Sequence, residues 1–366
     1  MRITRGRALS GIALIGASAV VLAGCAAAPE EEADGGDAGS DFVPCIVSDA
    51  GGFDDKSFNQ LSFEGITDAA DALGVEVIDV ESASEADYGP NMESLVSQGC
   101  NLIVSVGFAL SAATVESALA NPDVEYAIID DAADNDFDGT TDAENIKPIL
   151  FDTADAAFLA GYAAASYSKT GVVATWGGLP FPTVSIFSDG FAQGVAYHNE
   201  QKGTAVTVLG YDPANPDAYT VTGGFEANDV ARQTAQNFLD QNADVLLPVG
   251  GPIYQSALAA ISDSGKDVVL LGVDADLFET DPDTQDVILT SILKQMRVAT
   301  ADVVEAAGNG DFSNEPYVGT LENDGVGIAP FHNFESKISD TLAAELEELK
   351  AGIIDGSVEV TSYLNQ

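Results

Sequence analysis

From residue 42 onward, short unbroken apolar runs alternate with longer stretches in which apolar residues recur every three or four positions. The runs are rich in Val and Ile, which marks strands covered on both faces; the longer stretches have the period of amphipathic helices. The expected order is strand "FVPCIVS", helix 57–73, strand "VEVIDV", helix 88–98, strand "NLIVSVG", helix 110–120 and strand "EYAIID". After "NIKPILFD" the rhythm restarts with helix 153–168, strand "GVVATW", a long helix near 183–200 and strand "TAVTVLG". Helix 226–242, strand "DVLLPVG", helix 253–264 and strand "DVVLLGVD" complete this half. The remainder predicts strand "VILTSIL", helix 295–308, short strands near 316–329 and a last helix 336–351.

The two halves echo each other. "NLIVSVGF…ESALA…YAIIDD" and "DVLLPVGG…QSALA…VLLGVDAD" each read as strand, glycine turn, helix, strand, aspartate. This weak internal repeat suggests two lobes of like construction. A chain of 366 residues exceeds what one core usually holds, which also favours two domains. The tail after residue 280 is too short for a third domain, so it should return to both lobes and supply several hinge crossings. Loops after the strands of both lobes would then face one cleft, the usual ligand site of open α/β sheets.

The first residues carry a different pattern. "MRITRGR" is basic, "ALSGIALIGASAVVLAG" is apolar, and Leu22-Ala23-Gly24-Cys25 resembles a bacterial lipobox. Residues 1–24 are expected to be a lipoprotein signal peptide, with Cys25 the lipidated N-terminus. The acidic, Gly-rich segment "AAAPEEEADGGDAGSD", through residue 41, reads as a flexible tether. Of the three cysteines this leaves Cys45 and Cys100, and an even remainder outside the cytoplasm suggests a disulfide if their strands are neighbours. The formal charge of −46 excludes nucleic acid and anionic lipid surfaces as partners and disfavours anionic ligands.

Candidate chemistry gathers at one strand-to-helix junction, "SDAGGFDDKSFNQ" (48–60). Asp49 ends the first strand, and Gly51 and Gly52 permit a tight turn. Ser57 and Gln60 have capping-box spacing, so the helix should start at Phe58 with Phe58 and Asn59 at the cleft edge. An aromatic face beside an amide and a carboxylate suits a flat polar heterocycle. The alternative is that Phe58 packs inward and the aspartates only favour the helix N-terminus. Elsewhere, "DNDFDGTTDAEN" (134–145) has EF-hand-like acidic spacing but Asn145 where the bidentate Glu belongs, so no metal is expected. Trp176 ends a strand and could line the cleft or wedge the lobes. No G-x-S-x-G, Walker A or G-x-G-x-x-G motif occurs in a suitable context, and His198 and His332 read as surface or packing residues, so no enzyme and no cofactor is expected.

"SDAGGFDDKSFNQ" resembles the D-x-G-G-x-x-D-K-S-F-N motif of the basic membrane protein family, bacterial substrate-binding lipoproteins of ABC transporters that include purine-nucleoside receptors. "FLAGYAAASYSKTGVVATWGGLPFPTV", "FSDGFAQGVAYHN", "GGFEANDVARQTAQNFLDQNADVLLPVGG", "LGVDAD" and "LTSILKQM" extend the likeness, in order, over about residues 42–350. The resemblance implies a type I periplasmic-binding-protein fold: two doubly wound parallel-sheet lobes, a multi-strand hinge and a ligand cleft between. Residues 42–150 plus about 280–315 would form the N-terminal lobe, and 151–279 plus about 316–366 the C-terminal lobe. It also implies a purine sandwiched between Phe58 and Phe225, with polar contacts from Asp49, Asn59, Asp130, Gly251, Asp276 and Lys294 and a contribution from Ser57. Asp276 would accept from ribose hydroxyls and Lys294 would donate to ribose oxygens, or the two would pair with each other. Stacking on each ring contributes roughly 1–3 kcal/mol, the right order for micromolar to nanomolar binding at about 8–12 kcal/mol once ordering costs are met.

The expectation is therefore a monomeric receptor, lipid-anchored on the extracytoplasmic face of the bacterial membrane. It would capture neutral purine nucleosides (inosine, guanosine, adenosine class) for an ABC permease and its ATPase. The competing readings are a binder of another neutral solute, such as a sugar or furanose, and a non-transport sensor on the same fold.

Overall fold

The computed structural model describes residues 41–362; the signal-peptide, Cys25 and most of the tether assignments lie outside the described residues. The strands are β1 (Pro44–Ser48), β2 (Ile78–Val80), β3 (Leu102–Val106), β4 (Glu125–Ile129), β5 (Ile146–Phe151), β6 (Val172–Gly177), β7 (Thr207–Leu209), β8 (Val245–Val249), β9 (Val269–Asp274), β10 (Ile288–Lys294), β11 (Tyr317–Gly319) and β12 (Val326–Ile328). The helices are α1 (Phe58–Leu73), α2 (Tyr88–Ser97), α3 (Ser111–Ala120), α4 (Thr153–Tyr167), α5 (Pro182–Lys202), α6 (Asp229–Asp240), α7 (Ile253–Ser264), α8 (Leu277–Thr280), α9 (Met296–Gly308) and α10 (Leu342–Ile354).

The strands form two sheets, ordered β2-β1-β3-β4-β5-β11 and β7-β6-β8-β9-β10-β12. All pairings between these strands are parallel except β10 with β12. Through the fifth strand both sheets follow the same winding, which is the tertiary form of the echo in the sequence. Strands β1, β3, β8 and β9 are buried at every residue, in keeping with their predominantly apolar composition. In both sheets the order reverses beside the first strand, so a crevice opens there at the carboxyl ends.

The chain passes between the sheets after β5, after β10 and after β11. This corrects the expected lobe boundaries. Within 280–315, β10 belongs to the second sheet, and α9 packs on α1 of the first lobe. Within 316–366, β11 pairs with β5 in the first sheet. Gly65 fixes the α1–α9 contact, since a Cβ there would stand 2.3 Å from the carbonyl oxygen of Arg297. A run of Val and Ile shows that a strand is buried but not which sheet buries it.

Two termini also differ from the pattern. Helix α6 starts at Asp229 because Asn228 caps it, accepting from the Ala231 N–H at 3.0 Å. Helix α10 starts only at Leu342, after a short 3₁₀ turn at His332–Phe334. Cys45 and Cys100 form a disulfide, with Cα atoms 5.9 Å apart, made possible by the pairing of β1 with β3. Among the described residues no helix is long and apolar enough to cross a membrane.

Candidate functional site

The loop after β1 is built around carboxylates. Asp55 accepts from the backbone N–H groups of Ser57 and Asn59, both at 2.9 Å, and of Gln60 at 3.1 Å. It therefore caps α1, which starts at Phe58 as its spacing predicts, but the Ser57–Gln60 capping box does not form. An anionic acceptor facing three helix-start donors outcompetes a hydroxyl for them. Ser57 Oγ instead turns its single proton to the other lobe, where the Val273 carbonyl at 3.0 Å and Asp274 Oδ2 at 3.1 Å are the acceptors within reach. Asp49 Oδ1 accepts from Gly51 N at 3.0 Å and from Asn59 Nδ2 at 2.9 Å. Burial pushes the Asp49 carboxyl up to about 6, against the opposing effect of the Asn59 hydrogen bond.

Asp49, Phe58 and Asn59 line a cavity between the lobes, and the opposite lobe contributes Phe225, Gly251 and Lys294 to the same cavity. Phe58 packs toward Gly107, where an added Cβ would lie 3.4 Å from its ring. Phe225 is seated more tightly: a Cβ on Gly178 or Gly250 would come within 2.3 or 2.5 Å of its ring. Gly250 also has φ of +133°, a conformation that L side chains rarely adopt. The glycine turns after β6 and β8 thus make the recess that holds the second ring.

Three further phenylalanines, Phe108, Phe181 and Phe187, line the cavity and went unassigned in the sequence. Phe108 and Phe181 come from different lobes, with ring centroids 5.2 Å apart, and Phe181 lies 6.2 Å from Phe225. The available signal for Phe108 was its place immediately after a strand-ending glycine in the internal repeat.

Lys294, at the end of β10, is buried among the acids. Its Nζ lies 2.5 Å from Asp130 Oδ2 and 3.7 Å from Asp274 Oδ1, and its side chain is 2% exposed. The rings of Phe187, at 4.7 Å, and Phe58, at 5.6 Å, flank the ammonium. Asp130 and Asp274 are matched: each sits at the carboxyl end of its strand, β4 or β9, with φ of +63° or +66°. Burial pushes the Asp274 carboxyl up to about 6, which Lys294 opposes and Asp130 reinforces. Burial raises Asp130 too, again opposed by Lys294.

Asp276 is not part of this lining. Its carboxylate accepts from Phe278 N at 3.1 Å, capping α8, and lies 2.8 Å from His332 Nε2. His332 in turn stacks on Phe278, centroids 4.0 Å apart. The neighbour two residues earlier, Asp274, takes the place expected of Asp276 and is the partner of Lys294. The internal repeat held the signal, because it equates the first aspartate of "YAIIDD" with that of "VLLGVDAD". Asp55, also in the lining, was missed for a similar reason: only its hydrogen bonds distinguish it from Asp54.

Trp176 does not reach the cleft; it is fully buried and packs on Phe238 with centroids 5.2 Å apart. His198 is buried, its Nδ1 3.1 Å from Thr204 Oγ1. Asp134, Asp136 and Asp138 do approach one another, but their oxygens accept from backbone N–H groups of Asp138, Gly139 and Thr140 within the loop.

Chemically, the cleft offers aromatic faces and an excess of acceptors. Two buried acceptor oxygens, Asn59 Oδ1 and Asp274 Oδ1, have no hydrogen-bond partner within the protein. Such a lining suits a guest that is partly flat and brings donors.

Two α/β lobes with a cleft at their strand ends define the class of type I periplasmic-binding-protein-like solute-binding proteins. A solute-binding protein of an ABC transporter system from Aeropyrum pernix K1 shares the architecture, with a TM-score of 0.76 at 25% identity over 88% of this chain and 93% of that one. The chain belongs to the family described as ABC transporter substrate-binding protein PnrA-like, matched over residues 42–361. It is 29% identical, over 95% of its length and 96% of the relative's, to a CD4+ T-cell-stimulating antigen of Listeria innocua. It is 27% identical to the ABC transporter nucleoside-binding protein BmpA of Lactococcus lactis subsp. cremoris, over 97% and 98% of the two chains. The same identity relates it to basic membrane protein A of Borreliella burgdorferi, over 89% and 90%.

Proposed function

We propose that this protein captures neutral purine nucleosides between its lobes and delivers them to an ABC permease with its ATPase. In this reading it does no chemistry on its ligand, and it is held at the extracytoplasmic face of the membrane by lipid on Cys25. The observation that carries the proposal is the pair of phenylalanines, one from each lobe, lining a single cleft beside two acceptor oxygens, Asn59 Oδ1 and Asp274 Oδ1, that have no hydrogen-bond partner within the protein. A purine supplies the flat face, and a ribose supplies the hydroxyl donors. Asp49, Asn59 and Asp274 would receive those donors, Gly251 would offer backbone, and Lys294 would donate to a ribose oxygen. Four acids, Asp49, Asp55, Asp130 and Asp274, line the cavity with one lysine, so a 5′-phosphate would meet carboxylates. The name of the Lactococcus relative supports the same ligand class.

Calorimetric titration against a panel of nucleosides, bases, nucleotides and sugars tests it. Inosine or guanosine should bind in the micromolar range or tighter, and their monophosphates far more weakly. Phe58→Ala and Phe225→Ala should each weaken binding by about tenfold or more, from the stacking contribution. Binding of a sugar with no response to any nucleoside would overturn the reading.

A further inference from the structure

We propose that Ser57 and Thr280 are closure residues: their hydroxyls hold the two lobes together and set the balance between open and closed cleft without touching the ligand. Neither residue lines the cavity. Each instead donates across the seam in a reciprocal arrangement. Ser57, from the first lobe, reaches the Val273 carbonyl at 3.0 Å and Asp274 Oδ2 at 3.1 Å. Thr280, at the end of α8 in the second lobe, donates to the Lys56 carbonyl at 3.0 Å.

The local structure is arranged to free these groups. Ser57 occupies the N-cap position of α1, where a serine hydroxyl ordinarily turns back onto its own helix. Asp55 has taken over that task, so the hydroxyl is available to the other lobe, and it is buried there at 1% exposure. Lys56 has φ of +63°, a left-handed backbone uncommon for a non-glycine residue, and it is this residue whose carbonyl meets Thr280.

Asp274 links closure to the guest. It lines the cavity; its Oδ2 receives Ser57, while Oδ1 is buried with no hydrogen-bond donor of its own, 3.7 Å from Lys294. A ligand donor on Oδ1 would fix the carboxylate plane and so favour the Ser57 bond on the other oxygen. The ligand then stabilises the closed form through a group it shares with the seam, which is the differential interaction that a population shift requires.

The ligand half of this inference rests on the nucleoside reading; the closure half does not. The test uses the full chain with Ser57→Ala, Thr280→Val and the double variant, and with Ser57→Thr and Thr280→Ser, which keep the hydroxyls. Solution X-ray scattering without ligand measures closure, and inosine calorimetry measures affinity. The hydroxyl-free variants should show a larger radius of gyration when empty and an inosine affinity about two- to tenfold lower per lost bond. The hydroxyl-keeping variants should return both toward wild type, and circular dichroism should match throughout. Hydroxyl-free variants that fold normally yet keep the wild-type radius and affinity would overturn the proposal. Failure of inosine to bind the wild-type protein would defeat the nucleoside reading, with the scattering comparison still deciding the closure role.

Discussion

Lys294 is the residue on which the cleft's electrostatics turn. It is a single buried cation between two strand-end carboxylates that come from different lobes. Its removal leaves two buried anions without compensation, and breaking such a pair costs about 3–5 kcal/mol. Lys294→Met should therefore lower the urea midpoint strongly at pH 8. The deficit should shrink toward pH 5, where Asp274, which burial raises to about 6 even with Lys294 opposing, takes up a proton. In the wild type the sign follows from the same shift. Asp49 and Asp274 have folded values of about 6 against 3.8, so their contribution to stability is fully present below about pH 4. It is lost as pH rises through 6, and urea titrations at pH 4.5 and 7.5 on wild type and Asp49→Asn measure that loss. Much of this site was legible in sequence: Asp49, Phe58, Asn59, Asp130, Phe225, Gly251 and Lys294 all fall in the lining. The Asp276 assignment was not, because "DAD" offers two carboxylates and only the turn after β9 decides which one points into the cleft and which caps α8.

Among the elements, the start of α1 shows how spacing and geometry part company. Ser-x-x-Gln is a capping signal, and the helix does begin there, yet Asp55 supplies the bonds. Asp55→Ala should cost about 1–2 kcal/mol of stability, the usual scale for a lost cap, in a denaturant titration. Ser57→Ala should leave the α1 cap intact. Gly250→Ala makes a parallel point about β8 and the turn behind Phe225. A methyl group 2.5 Å from that ring must displace it, so inosine affinity should drop by about tenfold or more, and the strained φ of +133° should lower the melting temperature as well. The tail divides similarly. Its two helices and its strands were visible as periodicities, but β10 and β11 exchanged lobes relative to expectation, because sheet membership is set by pairing partners far away in sequence.

At the scale of the whole molecule, a formal charge of −46 acts on everything at once. Like charges repel across the surface, and salt screens them over about 8–10 Å at physiological ionic strength. The melting temperature should rise when sodium chloride is increased from 20 to 500 mM by about these screening rules; a fall would show that specific surface ion pairs outweigh the net repulsion. Exposed pairs such as Lys169–Asp267 are too few and too solvated to reverse the trend. The disulfide between Cys45 and Cys100 works at this scale too, because it closes 55 residues of chain and should add about 2–4 kcal/mol that reductant removes.

The sequence by itself determined the alternation of buried strands with amphipathic helices, the doubling of the unit and the chemistry available at the strand ends. All of these are properties of residue type and period, which do not depend on distant neighbours. Tertiary structure alone decided which sheet received β10 and β11, which of two close aspartates faces Lys294, and where the hydroxyl of Ser57 goes. Each of those outcomes is a competition between partners brought together only by folding, and the winner is set by distance and burial rather than by position along the chain.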